Sequence, residues 1–388
     1  MKNRSKKKHK HTKGEESMKS NINILFITRH FPPNKGGMER VSFEFYKWLS
    51  EKYNLGRVYL VKINLDRKLF SLAFLILLIR SLRILSRNKI CIVYLQDGSL
   101  APLGFLFKKL FKRKVLITIH GLDITYRNII YQAVIPKLVS KLDKVVCISN
   151  ATKKQCIIRG IPEEKVEVIP NGISDTFYLK NLNREKGRFL IHKILGIDKS
   201  KKIILSVGRL VERKGFHLFI EHVIPRLASK RSDFVYIIVG SGALKKQIQN
   251  IIMKKKLRER VILLGQVTDN FLKLLYNTSD IFVAPNIPVK GDMEGLGMVI
   301  LEAATCGLPI VASSIDGIGD IVNKSNTSLG IALQPFDWEG YENTINKLLD
   351  DNKLRAYLGN RARKIALKLY SWDKVGKRYM TLFLKLLD

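Results

Sequence analysis

The sequence predicts an α/β protein built from two parallel, doubly wound domains in succession. Three observations carry this expectation. Short apolar runs recur from residue 22 onward, and stretches long enough for helices separate them. Glycine or polar residues follow the ends of the runs, where a parallel sheet presents its loops.

The first run, "INILFIT" (22–28), reads as a buried strand, and "MERVSFEFYKWLSEKY" follows it as a helix. "RVYLVKI" (57–63), an apolar helix from Leu69, "ICIVYL" (90–95), "VLITIH" (115–120) and "KVVCIS" (144–149) continue the series. "VEVIPNG" (166–172) closes it, because Pro170, Asn171 and Gly172 are turn and breaker residues. After a polar stretch (174–200) a second series begins: "IILSVG" (203–208), "FVYIIVG" (234–240), "RVILLG" (260–265), "DIFVAP" (280–285) and "PIVAS" (309–313). The expected organisation is a basic tail (1–20), a Rossmann-like domain (21–185), a second one (186–370) and a C-terminal helix (371–388). Ligands of such sheets bind beyond the carboxyl ends of the strands. The site is therefore expected in a cleft between the halves.

Charge narrows the partners. The 388 residues carry a formal net charge of +36, and both halves are basic. Residues 1–20 alone hold eight Lys/Arg against two Glu. Such a field favours nucleic acid, phosphorylated small molecules or an anionic membrane. No stacking-aromatic platform or reading helix accompanies it, so nucleic acid is not expected. The four cysteines are scattered and the histidines do not group with carboxylates, so a reduced cytoplasmic protein without a structural metal is expected. No apolar run follows the basic start, so no signal peptide is read. "LFSLAFLILLI" (69–79) is too short to span a bilayer, which takes roughly 20 residues.

Four loops at run ends hold the candidate residues. Gly36 and Gly37, before a helix, permit close approach of an anion or simply make a tight turn. His120 and Asp123 stand at a strand end in "HGLD". In "GRLVERKG", Gly208 allows close backbone approach while Arg209 and Lys214 form a diphosphate clamp or two solvated cations. In "GDMEGLGMVILEAAT", Glu294 lies in a glycine-rich loop and Glu302 in an apolar helix. A buried carboxylate needs a partner, either a structural ion pair or the hydroxyls of a bound sugar and ribose.

Together these motifs resemble the GT-B-fold retaining glycosyltransferases of family 4 (glycosyl transferases group 1). The E-x7-E motif is Glu294 to Glu302, the phosphate loop is "GRLVERKG", the Gly-Gly loop is "NKGGMER" and the strand-end histidine is His120. "VIPNG" matches the interdomain turn, and "YSWDKVGKRYMTLF" (370–383) resembles the closing helix that returns to the N-terminal domain. The resemblance implies that Glu302 accepts ribose hydroxyls. Glu294 would contact the transferred sugar, helped by backbone N–H groups of Gly295, Leu296, Gly297 and Met298. Arg209 and Lys214 would neutralise the departing diphosphate, Gly36, Gly37, Gly208 and Gly265 would line the nucleotide sugar, and His120 would sit against the sugar. It implies a donor such as GDP-mannose or a UDP-hexose, used as substrate with no cofactor or metal, and a glycan or lipid-linked acceptor. A nucleotide-sugar 2-epimerase on the same fold would need further acid/base carboxylates. Basic-apolar segments at 80–89 and 106–114, with the tail, suggest peripheral docking on the anionic inner face of the membrane.

Overall fold

The computed structural model describes residues 22–34, 36–52, 56–63 and 70–388. The basic tail, residues 1–20, lies outside them. The chain divides into two units, one ending at Gly172 and completed by Trp372–Asp388, the other Ile173–Ser371. The division thus falls earlier than the 185/186 boundary read from the sequence.

In the first unit six strands form one parallel sheet: β1 (Ile24–Thr28), β2 (Val58–Lys62), β3 (Ile92–Leu95), β4 (Lys114–Ile119), β5 (Lys144–Cys147) and β6 (Val166–Val168). Their order is β2-β1-β3-β4-β5-β6. Helices α1 (Gly37–Lys52), α2 (Phe70–Arg87), α3 (Ala101–Phe111), α4 (Leu122–Thr125), α5 (Ile129–Ser140) and α6 (Asn150–Ile158) connect them. Alternate strand residues face opposite sides. Leu25, Ile27, Val93 and Ile117 join Leu77 of α2, Phe107 of α3 and Ile135 of α5 in one core. Phe26 and Tyr94, on the other face, meet Phe45 of α1. Cys147 and Cys156, scattered in sequence, bring their sulfurs within 3.4 Å inside this unit.

The second unit repeats the plan with β7 (Lys202–Val207), β8 (Phe234–Val239), β9 (Val261–Gly265), β10 (Ile281–Ala284), β11 (Ile310–Ser313) and β12 (Ile331–Leu333), in the order β12-β11-β10-β7-β8-β9. Its helices are α7 (Arg184–Leu195), α8 (Phe216–His222), α9 (Ile224–Lys230), α10 (Lys245–Lys254), α11 (Asp269–Thr278), α12 (Met298–Thr305), α13 (Asp316–Val322), α14 (Trp338–Asp350) and α15 (Asn352–Tyr370). The three-residue strand β12 was not anticipated, being too short for a periodic signal.

The last helix, α16 (Trp372–Leu387), packs on α1 of the first unit. Trp372 Nε1 donates to Glu44 Oε2 at 2.6 Å, Trp48 Nε1 donates to Asp373 Oδ1 at 3.0 Å, and the Phe45 and Trp372 rings stack at 5.4 Å. The glycine of "VIPNG" is required here: a Cβ on Gly172 would lie 2.4 Å from Trp372 Cδ2.

Helix α2 packs on the sheet through Leu77 and Leu85, with Phe74, Ile76 and Leu78 against the same core. Leu77 is buried, but Leu72, Leu75 and Ile79 are each about half exposed, forming an outer apolar stripe on α2. Among the described residues no helix is long and apolar enough to cross a membrane.

Candidate active site

In the second unit the strand order reverses between β7 and β10, and a parallel sheet opens a crevice at such a point. The loops after these two strands carry the charged motifs. After β7 a 3₁₀ turn, Glu212–Lys214, buries the side chains of Arg213 and Lys214. Gly215 ends the turn at φ +68, and a Cβ there would fall 1.9 Å from the Pro285 carbonyl oxygen. The glycine therefore lets the loop after β7 lie directly against the loop after β10. Ile287 N–H donates to the Arg213 carbonyl at 2.9 Å and joins the two.

The result is a compact charge cluster. Lys214 Nζ lies 2.7 Å from Glu294 Oε2, and Arg213 Nε lies 3.3 Å from the same oxygen. Asn286 Nδ2 donates to it at 3.3 Å. Arg213 Nη1 also reaches both Asp292 oxygens, at 2.7 and 2.9 Å. From behind, Asp316 Oδ2 accepts the Glu294 backbone N–H at 3.0 Å. Burial alone would raise the Glu294 pKa, but Lys214 and Arg213 outweigh it and hold the carboxyl at about 2. Asp316 is pushed up by burial, which the hydrogen bond from the Glu294 backbone and the charge of Arg213 offset only in part.

Gly297 adopts φ +83 as the N-cap of α12, so Gly295, Leu296 and Met298 lie at the start of that helix. Glu302, in its second turn, is 4% exposed, and its Oε2 accepts the Tyr276 hydroxyl at 2.9 Å. The two motif glutamates are thus held differently, one by cations and one by a phenol. Gly208 follows β7, and a Cβ there would press to 3.3 Å from Lys214 Cε, so the lysine stem lies across it. Arg209 is exposed at the start of the same loop. Gly265 closes the edge strand β9 at φ +69.

The first unit has its own strand-end cluster, beside the β1/β3 reversal. Arg29, after β1, pairs with buried Asp97, after β3, at 3.0 Å. Asp123 accepts the backbone N–H groups of His120 at 2.8 Å and Gly98 at 2.9 Å. The His120 Nε2 lies 2.8 Å from the Gln96 carbonyl oxygen, which can only accept. The ring proton is therefore on Nε2, and Nδ1 keeps its lone pair. Burial lowers the His120 pKa, which favours this neutral tautomer. Gly36 and Gly37 lead into α1, where Glu39 Oε1 meets His30 Nδ1 at 2.9 Å.

The sequence reading missed Arg213, Asp292, Asn286, Asp316 and Tyr276. Arg213 and Asp292 sit inside motifs already singled out, so their charge was a usable signal. Asn286, Asp316 and Tyr276 carry no local pattern, and only the chain fold brings them in. Among the described residues no His, Cys, Asp and Glu group could hold a metal ion.

The model of the family described as glycosyl transferases group 1 matches residues 187–365, and that of glycosyltransferase family 4 matches residues 46–177. An uncharacterized glycosyltransferase of Methanocaldococcus jannaschii is 31% identical over 62% of this chain and 59% of its own. The GDP-mannose-dependent alpha-(1-6)-phosphatidylinositol monomannoside mannosyltransferase of Mycolicibacterium smegmatis is 24% identical over 92% of this chain and 96% of its own. The chain spans little more than half the length of several other curated relatives. Anabaena HepE, solved with UDP and glucose, has the same fold: TM-score 0.73 at 20% identity, over 94% of this chain and 100% of that one. Two parallel α/β units of this kind define the GT-B class of fold. Within it, the protein belongs to the group 1, family 4 glycosyltransferases.

Proposed function

We propose that the protein moves a hexosyl unit from a nucleotide diphosphate sugar to a glycan or lipid-linked acceptor, with retention at the anomeric carbon. The observation that carries this reading is the cluster at the β7/β10 reversal, where Lys214 and Arg213 keep the largely buried Glu294 ionised. An ionised carboxylate accepts hydroxyl hydrogen bonds, as a sugar requires. Lys214 has three N–H donors, so it can hold Glu294 and still offer donors to a diphosphate. Arg209 would add a second cation. Glu302, oriented by Tyr276, would take the ribose hydroxyls.

In the reaction the acceptor oxygen bonds to the anomeric carbon as the bond from that carbon to the leaving phosphate breaks. The acceptor's proton passes to the leaving phosphate, so no enzyme nucleophile is assigned. Charge grows on the diphosphate, and fixed cations stabilise it without a divalent ion. A 2-epimerase is the weaker reading, since Glu294, Asp292 and Asp316 are all committed to holding the loop.

GDP-mannose is the first donor choice and a UDP-hexose the second. The name of the mycobacterial relative favours the former and the contents of the Anabaena structure the latter. The place of work would be the inner face of the membrane. Supporting this, α2 exposes Leu72, Leu75 and Ile79 beside Arg80, Arg83 and Arg87, and α3 exposes Leu110 beside Lys109 and Lys112.

Thermal-shift screening of UDP, GDP and their sugars tests the donor, since binding to the native state raises its melting temperature. Product analysis by NMR then reads the anomeric configuration, with and without EDTA. No shift with any nucleotide would overturn the reading. An inverted product, or activity lost to EDTA, would remove the corresponding part.

A further inference from the structure

The first unit carries an apolar tip that the described residues leave uncovered. Ile129 is 89% exposed, Ile130 74% and Tyr126 54%, with Val134 next to them at 43%. A single exposed isoleucine is ordinary, but here three large apolar side chains fall within five residues of chain.

The tip is firmly held. Asn128 caps α5 by accepting the Tyr131 N–H at 2.9 Å, and Gln132 Nε2 donates to the carbonyls of Ile124 at 3.0 Å and Tyr126 at 2.8 Å. Tyr131 donates its hydroxyl to the Asp123 carbonyl at 2.6 Å. Asp123 in turn holds the His120 N–H. The tip and the strand-end cluster of this unit are therefore one hydrogen-bonded structure.

Charge selects the occupant. Residues 122–160 contain seven Lys/Arg and two acids, Asp123 and Asp143. Both acids are engaged: Asp123 accepts backbone N–H groups, and Asp143 pairs with Lys108 at 2.8 Å. A second copy of a chain of net charge +36 would be repelled. An anionic bilayer offers attraction to the cations and an apolar interior to the isoleucines, with tyrosine suited to the boundary.

We propose that Tyr126, Ile129 and Ile130 insert into the interface of an anionic bilayer and set the depth at which the first unit meets its acceptor. This rests on the membrane-docking reading above, but assigns the apolar contact to a segment which that reading did not include.

The test uses the full chain with vesicles of phosphatidylcholine alone or mixed with phosphatidylglycerol. Wild type should co-sediment with the mixed vesicles. Ile129→Ser combined with Ile130→Ser should cut the bound fraction about tenfold, with unchanged melting temperature and nucleotide binding, since both side chains are exposed. In a separate variant, Ile130→Trp, emission should shift to the blue on mixed vesicles and be quenched by brominated acyl chains. If the double serine variant binds like wild type while replacing Lys109 and Lys112 abolishes binding, docking stands and the tip assignment is overturned. If wild type binds neither vesicle, the docking reading falls and the tip with it. A wild-type dimer that the serine variant dissociates would mark the tip as a self-contact and overturn the proposal.

Discussion

Lys214 Nζ stands 2.7 Å from Glu294 Oε2, and both side chains are largely buried, at 9% and 14% exposure. A cation and an acid that the sequence reading assigned to separate parts of a ligand thus form one ion pair. Each neutralises the other's burial, so neither can be removed alone at low cost.

The first prediction follows from that coupling. Losing one partner of a buried pair costs about 3–5 kcal/mol, because the other charge is left uncompensated. Lys214→Met should lower stability to urea on that scale, and Lys214→Met with Glu294→Leu should lose less than the two single losses combined. Strictly additive losses would contradict the coupling. All three variants should be inactive in transfer.

The second concerns acid. The Glu294 carboxyl is held at about 2, against an ordinary 4.5. A depressed folded-state pKa means that its contribution is fully present above pH 4.5 and is lost as pH falls through about 2. The stability gap between wild type and Glu294→Gln, measured by denaturant titration, should therefore narrow steadily over that window. A constant gap would contradict the assigned pairing.

Arg213 acts through Glu294 and is a positioning residue. Its fork spans Asp292 and Glu294, a geometry that lysine cannot reproduce. Arg213→Ala should reduce kcat/KM for the donor about 10- to 100-fold, the scale of a lost charge-assisted hydrogen bond. Arg213→Lys should recover only part of it, chiefly in kcat. Full recovery by lysine would show that charge alone matters.

The glutamates should separate in binding. Glu302→Ala should weaken free UDP or GDP, while Glu294→Ala should spare the free nucleotide and impair transfer. Tyr276→Phe removes the hydrogen bond that orients Glu302 and should weaken nucleotide a few-fold, by about 1 kcal/mol. Calorimetric titration measures all three. Equal loss in both glutamate variants would end the division of roles.

The sequence alone determined the alternation of strands and helices, the positions of most strands and the loops that carry charge. It could do so because a strand buried on both faces must be apolar throughout, and glycine marks the strand ends where loops pack closely. It also placed Lys214 and Glu294 in those loops, and Glu302 in the helix that follows, by type and spacing. The tertiary structure decided what each charge meets. Arg213 was legible only as a neighbour of Lys214, and became the holder of Asp292 and Glu294 when Gly215 let two strand-end loops touch. Tyr276 and Asp316 reach the site from α11 and α13, helices with no motif of their own. The exposed faces of α2 and α5 were likewise invisible, since an apolar residue reads the same in sequence whether the fold covers it or leaves it in water. Local pattern reports the period of the backbone; pairing between distant loops depends on strand order, which no local pattern encodes.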